Sequence, residues 1–156
     1  MSFIKQLSSV PQKNHHEFKK GMTMKVAIVG SRQYTNKKRI QEYVYKLKQK
    51  YGDELEIVSG GQKDGADGYA KKYALEFDMK YVEFPPSHYN HNMHCIRPRG
   101  EYNKPYYVSN YFKRNKQIAE YSNIIVAFIP DGVESRGTMD TVGHAEKLKK
   151  LIKIIN

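Results

Sequence analysis

Three short segments carry side chains suited to holding an anion: Gly30-Ser31-Arg32, the run from Gly60-Gly61 through Gly65, and Gly137-Thr138. Glycine lets a backbone turn sharply and bring its N–H groups close to a ligand. A serine hydroxyl can donate to phosphate, and an arginine can grip it with a charge-assisted fork. Arg32, Arg114 and Arg136 are the candidate cations, and Asn115 stands beside Arg114 as a further polar contact. Four carboxylates, Asp64, Asp67, Glu134 and Asp140, are candidates for catalysis. Asp64 or Asp67 could orient a ribose hydroxyl, and any of the four could stabilise an oxocarbenium-like state, by the logic of glycoside hydrolysis. Asp64 and Asp67 could equally cap a helix. The first glycine segment does not read GxGxxG, so the dinucleotide fingerprint is absent.

The elements around these segments say how they are positioned. Ile124 to Ile129 is apolar and rich in β-branched residues without polar alternation, as expected of a strand covered on both faces. Lys25 to Gly30, Leu55 to Ser59, Tyr81 to Phe84 and Leu151 to Ile155 repeat the pattern. Helical periods fall between them. The first runs from an N-cap at Thr35 to Tyr51, with Ile40, Tyr43, Val44 and Leu47 on one face. The others cover about Ala66 to Met79, Ser109 to Tyr121 (with Phe112, Ile118 and Ala119 inward) and Asp140 to Lys150. Alternation of this kind predicts an α/β fold, a Rossmann-like three-layer sandwich of about five parallel strands with helices on both faces. Each glycine segment follows a strand, so all three should meet at the carboxyl edge of the sheet, where the first and fourth strands form a switch point.

One domain is expected over residues 24–156, after a basic, loosely ordered N-terminal tail over 1–23. Residues 85–108 are long for a loop and rich in Tyr, His and Arg, which predicts a segment over the carboxyl ends of the strands, as a lid or an oligomer contact. Arg97 and Arg99, with Tyr89, Tyr102, Tyr106 and Tyr107, could clamp a base and a phosphate there. His88, His91, His94 and Cys95 have ligand chemistry but no zinc-site spacing, so no metal or other cofactor is expected. The chain holds 27 Lys and Arg against 16 Asp and Glu, a net charge of +11, which favours anionic partners. A single cysteine excludes an internal disulfide. No run reaches membrane-spanning length, and a cytoplasmic location with no membrane partner is expected.

Strand-GSR, strand-SGG-x-x-GAD-helix, RN within a helix, then strand-P-x-G…GT-x-D-helix: taken together, this order resembles the SLOG superfamily of Rossmann-like domains, over roughly residues 24–156. The likeness is nearest to small bacterial and phage proteins with GSR, GGxxGAD-like and RN motifs. Other relatives include lonely-guy-type phosphoribohydrolases, the DNA-processing protein that loads recombinase onto single strands, and sensors of nucleotide signals. The resemblance implies a pocket over Gly30, Ser31, Arg32, Gly60, Gly61, Gly137 and Thr138, and relatives that form homo-oligomers. It departs from the phosphoribohydrolase signature PGGxGTxxE. Thr141 stands where the catalytic glutamate belongs, and Asp140 is one position away, about 100° around a helix.

The expected function is recognition of a nucleoside phosphate or nucleotide-derived signal. Two alternatives stand beside it: a nucleoside 5′-monophosphate N-glycosidase, and a single-stranded nucleic-acid binder.

Overall fold

The computed structural model describes residues 4–6, 22–84 and 109–156. The apolar runs become strands β2 (Met24–Gly30), β3 (Leu55–Ser59), β4 (Lys80–Glu83), β5 (Ile124–Phe128) and β6 (Leu151–Ile155). They pair in parallel throughout. A sixth strand, β1 (Ile4–Gln6), lies within the segment expected as a tail and pairs in parallel with β6. It covers an edge whose backbone groups would otherwise lack a partner. The strand order is β1-β6-β5-β2-β3-β4.

Helices α1 (Lys37–Tyr51) and α2 (Gly65–Glu76) cover one face; α3 (Ser109–Tyr121) and α4 (Arg136–Lys147) cover the other. Side chains alternate along each strand, so the two faces draw on alternate residues. On the first, Val26, Ile28, Ile57, Val126 and Phe128 meet Ile40, Val44 and Leu47 of α1 and Ala70 and Ala74 of α2. On the second, Ala27, Val29, Ile125 and Ala127 meet Ile118 and Ala119 of α3 and Val142 and Ala145 of α4. Phe128 is fully buried, and the Tyr34 and Tyr43 rings stand edge-on to it at 5.3 and 5.7 Å. Burying such a ring contributes about 1.5–3 kcal/mol.

Two helix starts differ from expectation. Asn36, not Thr35, caps α1, its side-chain oxygen accepting from the Arg39 N–H at 3.2 Å. Helix α4 begins at Arg136 rather than near Asp140, so Gly137 and Thr138 lie inside its first turn. The polar loop hides this start, because an apolar period becomes visible only from Thr138 onward. The expected lid, with His88, His91, His94, Cys95 and its tyrosines and arginines, falls outside the described residues. Among the described residues, no group of His, Cys, Asp and Glu could hold a metal, and no helix is long and apolar enough to cross a membrane.

Candidate functional site

The chain leaves β2 toward α1 on one face and β5 toward α4 on the other, and β2 and β5 are neighbours. Successive crossovers to opposite faces open a crevice at the carboxyl ends of such strands. A cleft of about 640 Å³ lies there. It is walled by the turn after β2, the start of α2, one side of α3, the loop after β5 and the first turn of α4.

The turn after β2 is built by Ser31. Its N–H donates to the Phe128 carbonyl (3.1 Å), and its own carbonyl accepts from Tyr34 and Ala66 N–H. Its hydroxyl accepts from the Gln33 N–H at 3.0 Å. That leaves Arg32 projecting at the cleft rim, exposed, with no hydrogen-bond or ion-pair partner among the described residues.

The glycines of the second segment have a packing reason. Gly65 has φ +74°, and a Cβ there would run into the Ser31 carbonyl and come within 2.6 Å of the Arg32 Cα. It therefore lets the start of α2 lie directly on the Ser31 turn. A Cβ on Gly60 would strike the Arg114 guanidinium and approach Asp67 Oδ2 at 2.8 Å. Gly61 donates its N–H to Ser59 Oγ at 3.2 Å. Gly60, Gly61 and Gly65 do not themselves line the cleft, whereas Gly30, Ser31, Arg32, Arg114, Asn115, Arg136, Gly137 and Thr138 do.

The four carboxylates separate. Asp67 is buried but lines the cleft, and it accepts backbone hydrogen bonds from Gln62, Gly60 and Gly30, with the Arg114 charge beside it. Burial pushes its carboxyl up to about 6, against the pull of Arg114 and those N–H groups. Glu134 lines the mouth and pairs with Arg136 at 3.5 Å, both side chains largely in solvent. Asp140 accepts from Asn115 Nδ2 at 3.2 Å and lies 3.6 Å from His144. Asp64 occupies the N-cap of α2, makes no side-chain capping bond and lies away from the cleft.

Arg114 and Asn115 tie the walls together. Arg114 Nη1 donates to the Gly60 carbonyl (2.7 Å), and its Nε donates to Asn115 Oδ1 (2.9 Å). Asn115 Nδ2 donates in turn to the Gly137 carbonyl at 3.2 Å. One polar chain thus runs from the β3–α2 junction, through α3, to the first turn of α4. In that turn the Ser135 hydroxyl donates to Thr138 Oγ1 (2.7 Å) instead of capping the backbone. The opening amides of a helix have no intrahelical acceptor. Here they also lack a side-chain cap among the described residues, and they border the cleft. A Cβ on Gly137 would meet nothing within 4 Å.

Gln62, Tyr111, Phe112 and Val133 also line the cleft without having been singled out. Phe112 was expected in the core and is 47% exposed. Its face of α3 also carries Asn115, three residues on, and that polar neighbour was the available signal of an opening rather than a core.

Residues 24–91 match the YspA, cpYpsA-related SLOG family (YAcAr). No curated protein sequence matches the chain. Two solved structures of the molybdenum cofactor carrier protein from Chlamydomonas reinhardtii are similar to it, with TM-scores of 0.58 and 0.57 at 19% identity. They align with 86% and 85% of this chain and 78% and 76% of theirs, a likeness of fold. Gly30-Ser31-Arg32 and the Gly60-to-Asp67 run fall within the matched residues, so the SLOG likeness rests on that stretch.

Proposed function

We propose that the cleft binds a nucleoside phosphate or a nucleotide-derived small molecule, with its phosphate at the first turn of α4. The observation that carries this reading is the meeting, at a switch-point cleft, of α4 amides and an Arg32 that both lack a side-chain partner among the described residues. Helix N-termini attract anions through their free N–H groups and dipole. A volume of about 640 Å³ suits a mononucleotide-sized ligand. The fold neighbour, named as a carrier of a cofactor, supports a small ligand as the cargo class.

Binding rather than turnover is the reading the carboxylates favour. Asp67 holds three backbone N–H groups, Asp140 is held by Asn115, and Glu134 sits in solvent at the mouth. A thermal-shift screen of mono-, di- and cyclic nucleotides and ADP-ribose tests both statements. A ligand at a hundred times its Kd raises stability by about 2.7 kcal/mol. Chromatography of the same mixtures should show intact nucleotide, and release of free base would replace the binding reading with N-glycosidic cleavage. No shift with any of these compounds would sink the proposal.

A further inference from the structure

We propose that Phe112 is the platform on which the ligand's planar base stacks, so that the cleft selects nucleotides over bare sugar phosphates; this rests on the nucleotide reading above and deepens it. Seven large apolar side chains are exposed on the described surface, and Phe112 is the one among them that lines the cleft. A half-exposed aromatic face at the mouth of a cleft offers apolar area that a bound ring would remove from water. Tyr111, beside it, already has the Arg114 guanidinium over its ring at 5.7 Å. Phe112 makes no ring contact among the described residues.

The position of this ring sets the length of what it can receive. Asn115, one turn further along α3, holds the Gly137 carbonyl in the first turn of α4. Phe112 is therefore displaced by about one helical turn, ~5 Å, from the contact between α3 and the anion end of the cleft. A nucleotide with its phosphate on α4 would span that offset with its ribose and bring its base onto the ring. Val29 and Ile118 on the inner wall and Val133 on the far side supply apolar surface for the base edges. Base–aromatic stacking tolerates any base, because every base has a π face. The platform thus selects for a ring and leaves its identity to other contacts.

The chain contains no tryptophan, so Phe112→Trp introduces its sole indole. Titrating that variant with AMP should quench the indole emission, while ribose 5-phosphate should leave it unchanged. Phe112→Ala should bind AMP about tenfold more weakly than the parent and ribose 5-phosphate equally well. A Phe112→Ala protein that binds AMP like the parent overturns the stacking role and leaves the nucleotide site standing. So does a variant that loses both ligands to the same degree. An indole emission that responds to protein concentration and not to AMP shows a second copy covering the ring, and likewise overturns it. A parent that binds neither of these nor any nucleotide of the thermal-shift screen overturns both readings.

Discussion

Asp67 and Arg32 are charged residues in opposite surroundings. Asp67 is buried among backbone donors and beside Arg114, and desolvation still dominates, lifting its carboxyl from 3.8 to about 6. The folded chain therefore binds more protons than the unfolded chain between those two values. By linkage, stability falls as pH rises through that window and levels off above it. Relative to Asp67→Asn, the parent should lose stability from about pH 4 to about pH 6, by up to roughly 3 kcal/mol. Urea unfolding of both proteins across that range is the measurement. A parent that gains stability over the variant in that window would show that Arg114 and the three amides outweigh burial. Arg32 is the opposite case, an exposed guanidinium without a partner among the described residues. A charge-assisted pair with phosphate contributes roughly 1.5–3 kcal/mol. Arg32→Ala should thus weaken nucleotide binding about tenfold or more, with the Tm of the free protein nearly unchanged. Calorimetric titration beside a melting curve distinguishes this from general damage.

Between elements, two glycines make opposite predictions. Gly65 sits where α2 lies on the Ser31 turn, with positive φ and no room for a Cβ. Gly65→Ala should destabilise the fold by roughly 2–4 kcal/mol, through backbone strain and displacement of α2. Gly137 is in the first turn of α4, with open space where a side chain would go. Gly137→Val should leave the melting temperature within a few degrees of the parent, while filling the space a phosphate needs. Denaturant melts and nucleotide titrations of the two variants should separate cleanly. If Gly137→Val bound nucleotide like the parent, the phosphate would have to sit elsewhere. The Arg114–Asn115 link belongs to this scale too, since it fixes the distance between the β3–α2 junction and α4.

For the molecule as a whole, the net charge of +11 sets a competition between a small anionic ligand and a polyanion. A cleft closed around one phosphate and one base should bind with an affinity that does not grow with oligonucleotide length. Single-strand binding would instead fall with salt at a slope of about −0.7 per phosphate contacted. Titrating oligonucleotides of increasing length between about 50 and about 200 mM salt separates the two. Affinity that climbs with length and collapses with salt would favour the nucleic-acid reading over the nucleotide cleft.

Five parallel strands, the alternation with helices and the neighbouring of β2 and β5 were legible in the chain, because buried strands leave apolar runs and the connections between parallel strands are constrained. Ser31, Arg32, Gly137 and Thr138 follow β2 and β5 and line one cleft, since parallel strands share one carboxyl edge, whereas Gly60 and Gly61 do not line it and Arg114 and Asn115 reach it from the middle of α3 by packing alone. Other features depended on contacts between residues far apart. Gly60 and Gly65 look like ligand glycines in sequence, yet their lack of a side chain makes room for Arg114, Asp67 and the Ser31 turn. Composition cannot distinguish a ligand from a neighbouring element, because both demand the same empty volume. Asp67 and Asp64 are three residues apart and chemically alike, and only packing buries one and leaves the other in solvent. Phe112 has an apolar side chain on an amphipathic helix, which by periodicity belongs inside. It is half exposed instead and lines the cleft.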